Sequence, residues 1–583
     1  MLEKIKPLAP YLKRYRGQLA KGGVAVLLYN SSKIAMPLLI GGAVDQVAHH
    51  GSTHLVMRNA IWLIAVAAFS AVMLYATRWI IIGASREIEF DLRNDLFKNL
   101  ERQAASFFHQ HRTGDIMARS TNDLNAVRQL LGPAIMYSAN TVVFTAAALP
   151  FMLRISPRLT LFAFVPLPIA SVLVQLMGRK IHMRFERIQA MFSDISAKAQ
   201  ENFSGARLIR AFAQEDAEIR SFETANREYI HRSLFLVRIM AMLWPTLEFI
   251  LGVSLVITLL VGGREVIAGR ISPGSFTAYM VFMVQLTMPM IALGYVVNLF
   301  QRGTASVLRI DEFMRWQPAI LDDAASLANI HAMPRGDIEF RNLTFGYLDA
   351  VPVLRNVNLT IPAGTSLAIV GPTGSGKSTL VNLIPRILDA KPGTVLLDGL
   401  PIREWPLASL RSSIGFVPQE TFLFSSSIRD NIAFGVESAT DDQIEHAATL
   451  AHIATEIMAF PNGFATLVGE RGITLSGGQK QRTSIARALL RNPRILVLDD
   501  ALASVDTYTE EQILKGLREV MHDRTTILIA HRVSTARSAD RIAVLIDGSI
   551  SEIGTHEELM VANGYYAGLC AKQQLEEEIA TAQ

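Results

Sequence analysis

Six stretches of this chain, residues 22–45, 59–83, 133–155, 159–178, 240–262 and 275–300, are long and apolar enough to cross a bilayer, and all lie in the first half. Inside a hydrocarbon core every backbone N–H and C=O has to be paired within its own segment, so that half is confined to membrane-crossing helices. Half of the 583 residues are apolar and the mean hydropathy is +0.28, more than a soluble protein of this size shows. The first run follows Lys13, Arg14, Arg16 and Lys21 as a secretory signal would. It is too long for one and ends in no small-residue cleavage site, so it reads as a retained helix.

Positive charge in the connecting segments is lopsided. Residues 1–21, 84–132 and 179–238 carry 6, 7 and 11 Lys or Arg, whereas the opposite side holds only Arg58, Arg154, Arg158, Arg264 and Arg270. The excess places the first group and both termini in the cytoplasm. It also accounts for the net charge of +4 through membrane-adjacent loops, and no nucleic-acid partner is expected. The stretches at 90–103 and 217–238 keep helical spacing, so the membrane helices are expected to continue into the cytoplasm. RTGDIMARSTND at 112–123 and GARLIRAFAQED at 205–216 are expected to be where they double back.

Polar residues inside the spans are Asn30, Lys33, Asn140, Glu248, Gln285 and Asn298. Lys33 and Glu248 are costly there unless paired or wet, which makes each a functional candidate, a bundle-pairing residue or one lying nearer an interface than these bounds place it. Met240, Met242, Met280, Met283, Met288 and Met290 serve either as an adaptable cavity wall or as ordinary packing. The single cysteine, Cys570, excludes an internal disulfide framework.

From about Gly336 the pattern changes to short Leu-rich and β-branched runs between helices: DIEFRNLTF, SLAIVG, GTVLLDG, IGFVPQ, ILVLDD, TTILIAH and RIAVLIDG. Such runs indicate an α/β domain with a mainly parallel core. The expected layout is a membrane domain at 1–315, a linker at 316–336 marked by Pro318 and Pro334, and a nucleotide-binding domain at 337–583.

That second domain carries GPTGSGKST after a buried-strand pattern and before a helix, the context a phosphate-binding loop requires. Gly371, Pro372, Thr373, Gly374, Ser375 and Gly376 form the loop, whose glycines let backbone N–H groups wrap phosphate oxygens. Lys377 is expected at the β and γ phosphates of ATP, Ser378 on Mg²⁺, and Thr379 beside them. Asp499 follows four apolar residues in ILVLDD and is expected to hold Mg²⁺ through water. In LSGGQ, Ser476, Gly477, Gly478 and Gln479 open an amphipathic helix, a second anion-binding terminus with Ser476 as its cap.

In this order the motifs resemble the ATP-binding cassette superfamily. The resemblance implies that Tyr347 stacks on adenine, that Gln419 links metal to the membrane domain, and that His531 lies near the γ-phosphate. It also implies that Gly469 to Gly472 (GERG) touches membrane-domain loops and that Ser504 to Asp506 forms the D-loop. Taken singly, Tyr347 serves equally as a packing residue, and His531 as a strand cap. Six helices before one cassette is the half-transporter layout of type IV exporters, and the turnback segments look like that family's two coupling regions. LDDALASVDTYTEEQIL and PMIALGYVVNLFQRGTASVLRI look like bacterial multidrug resistance-like half-transporters, many of which pair as heterodimers. The resemblance implies a chain of the bacterial inner membrane that pairs with a second half-transporter and exports a drug, lipid or peptide at the cost of ATP. An ATP-gated channel and a mainly regulatory subunit are the alternatives; separate-chain importers do not share this layout. The family's usual residue after the Walker B aspartate is Glu. Here it is Asp500, one methylene shorter, which withdraws the carboxylate by about 1 Å, enough to slow hydrolysis on the order of a hundredfold.

Overall fold

The computed structural model describes residues 2–49, 51–322, 333–347, 351–469, 472, 474–503 and 507–581. The chain divides into two compact units, Met1–Glu101 with His111–Trp316, and Arg102–Gln110 with Gln317–Gln583.

The first unit is built on six long helices: α1 Arg16–Ala48, α2 Thr53–Glu101, α3 Thr113–Ile155, α4 Pro166–Ser204, α5 Glu215–Ile267 and α6 Pro273–Arg315. Among the described residues, α1, α2, α3 and α5 are long and apolar enough to cross a membrane. The other two expected spans, 159–178 and 275–300, fall in a short helix Pro157–Phe164 running into α4, and in α6. At 1.5 Å per residue the 49 residues of α2 reach about 75 Å, far more than the ~30 Å of a bilayer core, so the helix continues well outside it. Small residues bring the helices together. A Cβ on Gly274 would lie 2.0 Å from the Gly41 carbonyl oxygen, and one on Gly303 would lie 2.5 Å from Leu130 Cβ. The Asp45 carboxylate closes the α1–α6 contact by accepting from Gly274 N and Ser272 Oγ, both at 2.7 Å.

One expected turn lies elsewhere. Residues 113–123 of that stretch are the start of α3; the segment before it, 102–104, a short helix Ala105–Gln110 and residues 111–112, connects α2 to α3. The polar residues that suggest a turn there are spent on α6. Arg119 pairs with Glu312 at 3.0 Å and lies 3.8 Å over the Phe313 ring, and the Asp123 carboxylate accepts from Ser306 Oγ at 2.8 Å and Arg309 Nε at 2.9 Å. Arg119–Asp123 and Leu130–Ala134 are wound as π turns, the second around Pro133, which lacks the N–H a regular turn needs. The second turn is as expected: α4 ends at Ser204, a short helix Ala206–Ala211 follows, and α5 begins at Glu215.

Among its described residues the second unit holds two sheets. Five parallel strands, β9 Arg541–Ile546, β3 Ser366–Val370, β8 Thr525–Ile529, β7 Ile495–Asp499 and β6 Ile414–Val417, lie in that order, with β10 Ser549–Gly554 antiparallel on the β9 edge. A separate antiparallel sheet runs β2 Leu354–Ile361, β1 Ile338–Phe345, β4 Val395–Leu397 and β5 Leu400–Pro401. The runs DIEFRNLTF and GTVLLDG therefore belong to this second sheet and not to the parallel core. Alternate residues of β3 serve two cores. Leu367 and Ile369 pack with Ile338, Phe340 and Leu354 of the antiparallel sheet, while Ala368 and Val370 pack with Ile542 and Val544. All five residues of β7 are buried, and at about 1.5–3 kcal/mol for each large apolar side chain this fixes where its final residue, Asp499, emerges.

Asp123 gives the α3–α6 contact a pH signature. Burial pushes its carboxyl up, but hydrogen bonds from Arg309 and Ser306 and the charges of Arg309 and Arg119 outweigh this and hold it below the usual carboxylate range. Such a group stabilises the fold above its unfolded value of about 3.9, and that stability is lost as pH falls through the lower folded value. Asp123→Asn should therefore unfold more easily at pH 7, by about 1 kcal/mol given the half-exposed Arg309. In thermal unfolding in detergent the gap from wild type should close as the pH is taken below about 4; a gap of constant size would assign the loss to packing.

Candidate functional site

The phosphate-binding loop leaves β3 through Gly371 at φ +151°, passes Gly374 at φ +84° and enters helix α7, Lys377–Asn382, from Gly376 at φ +101°. A Cβ on Gly371 would sit 2.1 Å from the Leu545 carbonyl oxygen, so glycine is required by space as well as by backbone. Around Gly374 nothing lies within 4 Å of such an atom, so this side of the loop is open. Lys377 is buried and its Nζ donates to the Gly371 and Pro372 carbonyls, both at 2.9 Å. Burial pulls its pKa down, against the charges of Asp500 and Asp499. Ser378 Oγ donates to Asp499 Oδ1 at 2.9 Å, joining α7 to the end of β7. Burial raises the Asp499 carboxyl above the usual range despite that bond. Thr379 Oγ1 is 3.1 Å from the Tyr347 hydroxyl, whose ring is partly exposed and meets Phe345 edge-on.

Ser375 Oγ is buried without a hydrogen-bond partner among the described residues. A buried hydroxyl is costly in that condition, and a phosphate oxygen in the loop is the partner it fits. The Ser378 hydroxyl, the Asp499 carboxylate and the Gln419 amide are oxygen donors of the kind Mg²⁺ takes, which fits the loop and strand end to MgATP.

Asp500 follows with its backbone in the left-handed region, φ +50°, which Asp tolerates better than most residues. Its Oδ2 lies 3.5 Å from Gln419 Nε2 and 3.8 Å from His531 Nε2. Burial raises its pKa, and the neighbouring His531, Gln419 and Lys377 act in the opposite direction. Lys377, Ser378, Gln419, Asp499, Asp500 and His531, separated by up to 154 positions along the chain, thus meet at the carboxyl end of the parallel sheet.

The LSGGQ residues are built differently. Ser476 caps helix α8, Gly477–Leu490, in a full capping box: Ser476 Oγ accepts from Gln479 N at 3.2 Å, and Gln479 Oε1 accepts from Ser476 N at 2.9 Å. Gln479 Nε2 donates to Glu456 at 3.0 Å, and Arg482 holds the same carboxylate at 2.6 Å. Among the described residues no hydrogen bond joins Ser476, Gly477, Gly478 or Gln479 to the Lys377–Asp499 cluster. Ser504 to Asp506, and Glu470 and Arg471 of GERG, lie outside the described residues.

Two acids escape a reading by motif. Glu456 braces the LSGGQ helix as above. Glu510 is buried in the helix Thr507–Met521, where its carboxylate accepts from Arg532 and from Thr535 Oγ1, just beyond His531. A signal for Glu510 exists in the sequence: it falls in line with Ile513, Leu514 and Leu517 on the apolar face of that helix, where an acid needs a partner.

Comparison with known proteins agrees with this geometry. The family described as ABC transporter transmembrane region matches residues 19–290, and the family described as ABC transporter matches residues 354–503. The chain is 36% identical over 570 residues to the multidrug resistance-like ATP-binding protein MdlA of Escherichia coli K12, covering 97% of this chain and 95% of that one. It is 35% identical to the ATP-dependent lipid A-core flippase of Syntrophus aciditrophicus, with 99% and 95% covered. A solved bacterial Atm1-family ABC exporter with ATP bound superposes with a TM-score of 0.77 at 27% identity, covering 96% of this chain and 98% of that chain. The chain therefore belongs to the ABC transporter family, as a membrane-spanning exporter whose nucleotide-binding domain is an ATPase using ATP with Mg²⁺.

Proposed function

We propose that this chain is one half of a dimeric exporter of hydrophobic or amphipathic molecules, with a slow hydrolytic site of its own. In this reading residues 1–315 form the membrane domain, 316–336 the linker and 337–583 the cassette, with both termini on the cytoplasmic side of the bacterial inner membrane. The observation that carries it is that the chain holds two glycine-rich helix starts, the Gly371–Ser378 loop and the capped Ser476–Gln479 terminus, that no hydrogen bond brings together among the described residues. Each is completed by the other element of a second subunit, arranged head to tail. Nucleotide that touches both favours the closed pair, and its hydrolysis removes that bias.

Within one site, Lys377 supplies positive charge to the terminal phosphates, Ser378, Asp499 and Gln419 hold the metal, and Tyr347 carries the base. Mg²⁺ neutralises charge on the phosphate oxygens. Asp500 orients the attacking water, with His531 beside it. Asp500 lacks the methylene that the family's Glu provides, and its left-handed backbone is one that Asp adopts more readily than Glu. A heterodimer in which the partner supplies Glu is the arrangement this favours, because the LSGGQ segment here is intact and fit to complete the partner's site.

ATP-dependent uptake of a hydrophobic dye into inverted membrane vesicles tests the export reading. Accumulation above equilibrium is expected, whereas a passive ATP-gated current would replace it with a channel. For the chain assembled alone, Asp500→Glu should raise ATP hydrolysis by tenfold or more, within the roughly hundredfold that about 1 Å of misplacement costs. No increase over an already substantial wild-type rate would remove the slow-site assignment.

Glu510 acts through His531's neighbours. Glu510→Ala leaves Arg532 and Thr535 without their carboxylate, so kcat for ATP should fall about tenfold while KM changes little, and Glu510→Gln should restore part of the rate. A parallel loss in KM and in thermal stability, without rescue by Gln, would make its role purely structural.

A further inference from the structure

We propose that Glu456 is a positioning residue for hydrolysis in the partner subunit's site: it holds the LSGGQ segment in the form that faces the partner's nucleotide, and touches no nucleotide itself. The inference rests on the shared-site reading above and adds to it a residue that none of the motifs contains. At the start of α8 the capping box uses Ser476 N and Gln479 N within the segment, and Gly477 N and Gly478 N donate to nothing among the described residues. Those two N–H groups, with no side chain in front of them, are what the segment offers to phosphate oxygens. The box itself depends on how the Gln479 amide is held. Its Oε1 accepts from Ser476 N at 2.9 Å while its Nε2 donates to Glu456 Oε2 at 3.0 Å. Turned over, the amide would set its NH₂ against the Ser476 N–H and its oxygen against the carboxylate, so Glu456 fixes the one sense in which the box closes.

The same carboxylate reaches the segment by a second route. Arg482, on the next turn of α8, is only 8% exposed; its Nη1 donates to Glu456 Oε1 at 2.6 Å and to the His452 carbonyl at 2.7 Å, and its Nε to the Gly478 carbonyl at 3.3 Å. A guanidinium buried to this degree needs a carboxylate beside it. With Glu456 in place, Arg482 ties a glycine of LSGGQ to the short helix Ala454–Met458 that carries the acid. The chain is shaped for this contact: His452, at φ +52°, follows the helix Asp441–Leu450 in the left-handed region and gives its carbonyl to Arg482 just ahead of Glu456. Among the described residues none of the hydrogen bonds of Gln479 or Arg482 reaches Lys377, Ser378 or Asp499 of the same chain. A fault in the brace is therefore felt where LSGGQ acts, in the site of the other subunit.

The test uses purified full-length pairs with different affinity tags, one copy carrying Lys377→Ala and the other Ser476→Arg, so that one site remains: the loop of the second copy against the LSGGQ segment of the first. Glu456→Ala added to the Lys377→Ala copy should lower kcat about tenfold, while the KM for ATP, set by the intact loop, stays within about twofold. Added to the Ser476→Arg copy, whose LSGGQ segment is already disabled, the same change should lower kcat by less than about twofold. Glu456→Gln on the first copy keeps one acceptor oxygen for Arg482 and should restore part of the rate. Both placements put one copy of the variant into the same pair, so a general loss of folding lowers both equally. Equal losses in the two placements, or no loss in the first, overturn the assignment and leave Glu456 a packing residue. A reference pair with Glu456 intact that recovers no hydrolysis, beside a wild-type chain that hydrolyses ATP, defeats the shared site and this inference with it, whereas recovery followed by equal losses defeats the Glu456 assignment alone.

Discussion

A hydrogen bond of 2.9 Å between Ser378 Oγ and the buried Asp499 carboxylate ties together the two parts of the nucleotide site. One partner opens α7 after the glycine loop, and the other ends β7, a strand buried along its whole length. A carboxylate in that position costs free energy unless hydroxyl, amine or metal answers it, and the loop provides the first two in Ser378 and Lys377. The parallel sheet then does the rest of the positioning. β3, β7 and β8 lie side by side, so the loop, Asp499 with Asp500, and His531 after Ile529 all emerge at one edge. Asp500 follows at the same end, its Oδ2 lying 3.5 Å from Gln419 Nε2 and 3.8 Å from His531 Nε2.

The membrane unit follows a different constraint. Its helices are joined where glycines let backbones approach, as at Gly41 with Gly274 and at Gly303 with Leu130, and charges are handled in two ways. Outside the spans buried acids are paired: Asp123 with Arg309, and Glu89 with Arg93 at 2.7 Å and Arg86 at 3.3 Å. Inside the spans, Lys33 lies 5.0 Å over the Phe144 ring and 5.7 Å over the Tyr29 ring, with no ion pair among the described residues.

Much of the cassette was legible in the sequence because its signals are local. A glycine loop between strand and helix, an aspartate after four apolar residues and a serine cap with glutamine three positions on each specify their own geometry, and the structure reproduces all three. The strands β2 and β10 were not legible. β2, LRNVNLTI, breaks its alternation at the exposed pair Arg355 and Asn356 and turns Asn358 outward, and β10, SISEIG, is a polar edge. Glu510 and Glu456 escaped for another reason: their partners, Arg532 and Thr535 in one case and Gln479 and Arg482 in the other, are distant in sequence. The turn expected at 112–123 was misplaced because polar residues that face a neighbouring helix look, in one dimension, like residues that face water.

The account stands on the claim that a working ATP site is shared between two chains. Its most direct measurement is complementation of purified pairs of this chain, one copy carrying Lys377→Ala and the other Ser476→Arg. Each variant alone should show no hydrolysis above background. Their mixture, in which one intact loop faces one intact LSGGQ segment, should recover a fraction of the wild-type rate. Wild-type hydrolysis by either variant alone would contradict the shared site.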